Sequence, residues 1–142
     1  MTQIDFYILN SSFSLEREKF ACRLVEKAYK LGHRIFVQVA DQDQQSTLDK
    51  LLWTFRQGSF VPHDLDTSTE SESTPVVIGY EGQAIGQREV LVNLSNDIPQ
   101  NYRSYDRMTE IVDQTSSTTQ SARERFRFYR DQGLEIKTHQ VN

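Results

Sequence analysis

The chain has 142 residues, of which 37% are hydrophobic, 11% aromatic and 25% charged. This composition excludes an intrinsically disordered chain and indicates one folded domain over residues 1–142. The formal net charge is −4, whereas proteins that hold DNA by neutralising phosphates carry a basic surplus, so direct binding to nucleic acid is disfavoured.

The first half of the chain alternates short apolar runs with helical patterns. The predicted elements are a strand at 4–9, a helix over 15–31 ended by Gly32, a strand at 34–39, and a helix that begins at Asp43 or Ser46 and ends near Phe55. This alternation predicts an α/β fold, a Rossmann-like and mostly parallel sheet flanked by helices.

The second half begins with an acidic segment. Residues 64–74 hold one Leu among acids and hydroxyls, which predicts a mobile surface loop within the domain. The elements predicted after it are strands at 76–79, 89–94 and 108–112, a helical turn at 99–105, a helix over 118–132 ended by Gly133, and a short strand at 134–138.

The sequence lacks the motifs of a phosphate-binding or catalytic site. The segment after the first strand reads LNSSFSLE, without the glycines that let a backbone approach a pyrophosphate, and no P-loop motif occurs. His63, Asp64 and Asp66 can supply metal ligands, but a strand end followed by acidic loop residues explains them without a metal, and this interpretation is favoured. We therefore expect no catalytic residues, no metal and no cofactor, the alternative being a small cofactor- or nucleotide-binding enzyme of Rossmann-like fold.

The compartment is indicated by two further features. Cys22 is the single cysteine, so no internal disulfide or cysteine-based zinc site can form. No stretch approaches the roughly 20 apolar residues of a membrane span, and the first residues do not resemble a signal peptide. A reducing, cytoplasmic location without a membrane partner is expected.

Trp53 marks the first candidate binding surface. At 100° per residue it points away from the apolar stripe of the second predicted helix, and Phe60 and Pro62 follow shortly after it. Large aromatic side chains and a proline near a surface loop are typical of a partner site. The alternative is that Trp53 folds over the sheet edge as peripheral core.

The last predicted helix carries the second candidate surface. Residues 122–130 read ARERFRFYR, with Arg123, Arg127 and Arg130 on one stripe and Phe126 beside it. Like charges one turn apart destabilise a helix slightly, which favours an anionic partner for this stripe. Arginine suits a carboxylate, because its planar guanidinium can donate two parallel hydrogen bonds. The alternative is a solvated basic face paired with the acidic half of the chain.

Several motifs together make the chain resemble the chi-subunit family of bacterial DNA polymerase III. They are DFYIL, LGHR, LDKLLWTF followed by SFVPH, PVVIG, VLVNLS, TEIVD and ARERFRFYR, and they extend nearly from end to end. The resemblance implies a nucleotide-binding-like α/β fold without enzyme activity. It also implies an accessory subunit of the clamp loader, an adaptor that reaches nucleic acid only indirectly.

The resemblance also implies partners for both surfaces. The apolar surface that binds the psi subunit of the clamp loader is matched by Trp53, Phe60 and Pro62. In some bacteria of this family the same surface receives a helicase-like repair protein instead. Arg123, Phe126 and Arg127, with Arg130 on the same stripe, match the site for the acidic C-terminal tail of single-stranded DNA-binding protein, which ends in Asp, Pro and Phe.

One position departs from the family pattern. A further basic residue is expected one helical turn before Arg123, where this chain has Thr119. Arg130, or Arg103 and Arg107 from the preceding segment, are candidates to replace the missing charge. The electrostatic contact at this end of the tail site is expected to be weaker or displaced.

Overall fold

The computed structural model describes residues 2–68, 73–80 and 88–141. Within these ranges the elements are β1 (Gln3–Leu9), α1 (Glu16–Lys30), β2 (Ile35–Gln38), α2 (Gln42–Thr54), β3 (His63–Leu65), β4 (Val76–Gly79), β5 (Val90–Asn93), a 3-10 turn (Tyr102–Ser104), β6 (Arg107–Val112), α3 (Ser116–Asp131) and β7 (Glu135–Val141). None of the helices in the described ranges is long and apolar enough to cross a bilayer.

The strands form one sheet in the order β3-β4-β2-β5-β6-β1-β7, and every described pairing is parallel. The predicted α/β fold class is therefore confirmed. α-Helices connect β1 to β2, β2 to β3 and β6 to β7, because the chain must return to the same end of the sheet before a parallel strand begins.

The sheet buries a core on each face, because side chains alternate sides along a strand. On β2, Ile35 and Val37 pack with α1 and α2, whereas Phe36 points to the opposite face, where α3 lies. α3 contributes Tyr129 to that second core, and this side chain is completely buried. The two candidate surfaces thus belong to helices on opposite faces of one sheet.

Both helix-ending glycines adopt the conformation that the sequence predicts. Gly32 has a φ of 88° and Gly133 a φ of 77°. Glycine lacks a Cβ, so it enters this left-handed region without the steric cost that other residues incur there.

Three predicted boundaries were wrong. α2 begins at Gln42, before the predicted start, because the Asp41 carboxylate caps it by accepting a hydrogen bond from Gln44 N at 2.8 Å. The predicted loop 64–74 starts too early, since Asp64 and Leu65 belong to β3 and pair with β4. The last strand continues to Val141, because β7 pairs with β1 along its whole length.

Within the predicted acidic loop, residues 66–68 and 73–74 lie outside helices and strands. Residues 69–72 fall outside the described residues. The mobility of this segment stays a prediction.

Candidate functional site

A cavity of about 320 Å³ lies between α3 and the last strands of the sheet. Most of its lining is apolar, and Arg123 contributes the one charged side chain among the described lining residues. The lining comprises Phe6, Ile8, Val112, Gln114, Thr119, Ala122, Arg123, Phe126 and Thr138. An apolar cavity with a cation beside it can hold a hydrophobic group attached to an anion.

Phe126 separates the cavity from the second core. Its ring meets the edge of the Phe6 ring, with 5.3 Å between centroids, and it is half-buried. Thr138 of β7 is paired directly opposite Phe6, so helix and strand side chains converge on the same place. The groove beside Phe126 is therefore built from both ends of the chain.

Two of the predicted arginines have free guanidinium groups. Arg123 and Arg127 are exposed, and neither makes a hydrogen bond or ion pair with any described residue. Arg130 is also exposed, but its Nε lies 3.6 Å from Asp131 Oδ1. The alternative of a basic face paired with the acidic half of the chain is not seen among the described residues.

Arg125 belongs to the interior, although it lies within the same basic segment. Only 3% of it is exposed, and its Nε lies 3.2 Å from Glu110 Oε2. Its Nη1 also donates to the Asn96 carbonyl at 3.1 Å. This buried pair fixes α3 against β6. Arg123 and Arg127, two residues before and after Arg125, lie on the exposed side of the helix.

Thr119 lines the cavity one turn before Arg123. Its hydroxyl donates a hydrogen bond to the Asp113 carbonyl at 3.2 Å. The side chain therefore offers a small polar group where the family pattern has a positive charge.

The three arginines considered as replacements lie elsewhere. Arg107 begins β6, whereas the cavity adjoins Val112 at its end, about 17 Å away at roughly 3.3 Å per residue. Arg103 donates to Gln132 Oε1 at 3.0 Å, beyond the far end of α3. Arg130 follows Arg123 by nearly two helical turns, about 10 Å. None of them restores a charge beside Thr119.

Trp53 lies at the surface, as its helical angle predicts. It is 53% exposed, and its ring lies 5.6 Å from that of Phe60, which is 63% exposed. Pro62 is half-buried beside them. The three residues, here called the Trp53 surface, form an apolar patch at the β3 edge, and about half of the Trp53 side chain is exposed there.

Glu26 anchors the loop that carries Phe60, and the sequence pattern did not reveal this role. It is 5% exposed on α1, accepts a hydrogen bond from Ser59 Oγ and lies 3.2 Å from Arg56 Nη1. This one buried carboxylate thereby contacts the segment after α2 at two residues, Arg56 and Ser59.

Arg17 occupies the sheet edge at which a nucleotide would be expected. It is 9% exposed, and it donates to the Ile111 carbonyl at 3.0 Å and to the Leu94 carbonyl at 3.1 Å. Ligands of open parallel sheets bind beyond the carboxyl ends of the strands, which is where these two carbonyls lie. Burial lowers the pKa of this guanidinium, and its side chain lines a cavity of about 270 Å³ at this edge of the sheet.

The other chemistry-bearing residues serve structure. Burial raises the pKa of the Cys22 thiol to about 12, so it is a core residue and not a nucleophile. The His63 ring nitrogens face Val61 and Asp49, which leaves neither of them available to a metal. In the described ranges no three His, Cys, Asp or Glu side chains converge into a metal site.

Residues 1–137 match the family model described as DNA polymerase III chi subunit, HolC. The DNA polymerase III subunit chi of Pseudomonas aeruginosa is 37% identical over 141 residues, an alignment that covers 99% of this chain and 98% of the relative. The Haemophilus influenzae subunit chi is 29% identical over 96% of this chain and 95% of its own. The Escherichia coli subunit chi is 26% identical over 97% of each.

Solved structures share the fold at low sequence identity. T4 UvsW aligns with a TM-score of 0.70 at 11% identity, over 99% of this chain and 42% of that chain. The C-terminal domain of the DEAD-box protein Dbp5 aligns with a TM-score of 0.66 at 13% identity, over 96% and 90%. These likenesses concern the sheet and its helices alone.

Proposed function

This chain belongs to the DNA polymerase III chi-subunit family, replication accessory subunits, and we propose that it works as a non-catalytic adaptor with two docking sites. One site is the cavity beside Phe126, which takes the acidic C-terminal tail of single-stranded DNA-binding protein. The other is the Trp53 surface, which takes the psi subunit of the clamp loader or, where psi is lacking, a helicase-like protein.

The observation that carries the proposal is the cavity with Arg123 in its lining, an arginine that has no hydrogen-bond or ion-pair partner among the described residues. Its apolar lining suits the terminal phenyl ring of the tail, and Arg123 lies where it can meet the terminal carboxylate. Arg127, one turn further along α3, is exposed and has no partner in the described part of the chain, so it is available to the acidic residues that precede the ring. A tail peptide supplies the carboxylate, the negative charge and the aromatic group in a single segment.

The Trp53 surface supports the second site by its exposure. Trp53 and Phe60 together place two large aromatic rings in solvent at one edge of the sheet. Tryptophan is enriched among the residues that dominate binding energy at protein interfaces. Two such sites on one molecule link their partners, and each weak contact then gains from the effective concentration that the other provides.

A tail peptide labelled with a fluorophore tests the first site directly. Arg123→Ala should lower its affinity by about 1.5–3 kcal/mol, the usual scale for a hydrogen bond to a charged group. Arg123→Lys should lose less, since it keeps the charge but not the planar pair of donors. Binding should weaken as salt rises, because exposed charges are screened beyond roughly 8 Å at physiological ionic strength.

Arg23→Ala on α1 is the matched control, because Arg23 is exposed on the other face of the sheet. It removes the same charge from the molecule and should leave tail binding unchanged. Equal losses for Arg23→Ala and Arg123→Ala would mean that only net charge matters, and the cavity would then lose its proposed role.

The alternative functions have their own assays. A nucleotide-binding enzyme predicts specific thermal stabilisation by a nucleotide, which the lack of a glycine-rich phosphate loop after β1 disfavours. Direct binding to single-stranded DNA predicts retention of a bare oligonucleotide at physiological salt, which the net charge of −4 disfavours. Either result would replace the adaptor proposal.

A further inference from the structure

Trp53 rests on a buried histidine. The indole ring lies 4.7 Å from the His63 imidazole, centroid to centroid, at an interplanar angle of 51°. The His63 side chain is completely buried, whereas Trp53 is half-exposed. His63 therefore supports the Trp53 ring from the buried side of the Trp53 surface.

Both ring nitrogens of His63 face oxygen acceptors. Nδ1 lies 2.7 Å from the Val61 carbonyl oxygen, and Nε2 lies 3.0 Å from Asp49 Oδ1. A carbonyl cannot donate a hydrogen bond, and neither can an ionised carboxylate, so each nitrogen must carry a proton to satisfy its contact. Two oxygen acceptors around one imidazole fit a ring that donates from both nitrogens.

The charges around His63 leave Asp49 as its partner among the described residues. Asp49 precedes Trp53 by one turn of α2, so the same helix turn supplies both the carboxylate and the indole. On β3 and after it, the Asp64 carboxylate accepts from Thr74 Oγ1 and the Asp66 carboxylate accepts from Gln45 Nε2. β4 presents only apolar residues and a glycine beside β3.

We infer that His63, doubly protonated between Asp49 and the Val61 carbonyl, is a positioning residue that holds the Trp53 indole by a cation–π contact in the orientation that the partner binds. The inference rests on the proposed role of the Trp53 surface. A cation against the inner side of the ring stabilises the position of the indole. The exposed area of the indole remains available to the partner.

Trp53 is the only tryptophan in the chain, so tryptophan emission reports on the surroundings of this one ring. A protonated imidazole quenches indole emission. Asp49→Asn keeps the size of the side chain and lets its amide donate to Nε2 of a neutral His63, so it removes the charge and retains the shape. We expect stronger emission from Asp49→Asn and from His63→Gln than from the unsubstituted protein.

Binding of purified psi provides the second measurement. Affinity should fall roughly two- to fivefold in Asp49→Asn, the size of an exposed cation–π contact, and further in His63→Gln. Tail-peptide affinity at the cavity beside Phe126 should not change in either variant, which controls for folding. Asp43→Asn, on an exposed position of the same helix, is the matched charge control.

Each outcome decides a separate point. Unchanged emission in Asp49→Asn would overturn the charged state of His63. Stronger emission with unchanged psi affinity, while Trp53→Ala abolishes binding, would overturn the positioning role. If Trp53→Ala binds psi normally, the proposed function of the Trp53 surface fails, whereas the emission measurements still test the His63 contact.

Discussion

Glu110 is completely buried beneath α3 and accepts hydrogen bonds from three side chains. The donors are Asn93 Nδ2 at 2.9 Å, the Tyr129 hydroxyl at 2.7 Å and Arg125 Nε at 3.2 Å. Burial, followed by the nearby Glu110 charge, raises the pKa of Tyr129, so its hydroxyl remains a donor well into alkaline pH. The position of α3 on the sheet depends on these contacts.

Removing the charge of Glu110 should destabilise the protein strongly. Glu110→Gln leaves the buried Arg125 cation without its counter-ion, which lowers the free energy of unfolding by about 3–5 kcal/mol. Tyr129→Phe removes one hydrogen bond to a charged group, at a cost of about 1.5–3 kcal/mol. Urea unfolding followed by circular dichroism measures both.

Glu124→Gln is the control for these two variants, because Glu124 is exposed on the same helix and the change removes the same charge. Its effect should remain within about 0.5 kcal/mol. A Glu110→Gln protein as stable as Glu124→Gln would show that the buried pair does not hold α3 in place.

At the scale of single elements, α3 combines an anchored face with an open one. Arg125 and Tyr129 face the sheet, while Arg123 and Arg127 face solvent, an arrangement that the helical period allows within a few residues. The N-terminal half of the helix lines the cavity, and there Thr119 stands where the family pattern has a basic residue. The charge of the site is therefore concentrated toward the middle of α3.

Thr119→Lys should strengthen tail binding by adding a cation at the open end of the cavity. An exposed ion pair contributes roughly 0.2–1 kcal/mol, so a gain of up to about fivefold is expected at low salt. The gain should shrink at physiological salt. Titration of the labelled tail peptide measures it, with Ser117→Lys as control because that position is exposed on another face of α3. Unchanged affinity at low salt would contradict the assignment of Thr119 to the tail site.

The sequence predicts the elements whose pattern is long and regular. α1, α3 and the apolar strands follow from periodicity and from their glycine ends. β3 was not predicted from the sequence, because it has only three residues, His63–Leu65, and one of them is acidic. The strand is defined by its pairing with β4. β7 was predicted too short because its C-terminal half is polar. This half forms a strand because it pairs with β1.

The candidate sites also differ in how far the sequence predicts them. Exposure of Trp53 follows from helix geometry alone. The cavity does not, because Phe6, Val112 and Thr138 lie far apart in the chain and meet only through the strand order β6-β1-β7. The burial of Arg125 depends on Glu110 of β6, so a charged helix segment alone does not reveal which of its arginines are free.

At the scale of the whole molecule, the sheet keeps the two candidate sites apart. The Trp53 surface contacts β3 at one edge, while the cavity beside Phe126 adjoins β1 and β7 at the other. Five interstrand spacings of about 4.8 Å separate β3 from β1, roughly 24 Å. The helices that carry the sites also cover opposite faces, so no described residue contributes to both.

This separation predicts that the two sites bind independently. Trp53→Ala should leave tail affinity within about twofold of the unsubstituted protein, and Arg123→Ala should do the same for psi, because substitutions more than about 10 Å apart with no shared partner act additively. For each partner, the doubly substituted protein should then lose no more binding free energy than the single variant at that partner's own site, as measured by calorimetry with each partner in turn. If saturating psi instead changed tail affinity severalfold, the sheet would be transmitting a conformational change between its edges. The protein would then be an allosterically coupled adaptor and not a rigid one, because occupancy of one site would change the affinity of the other.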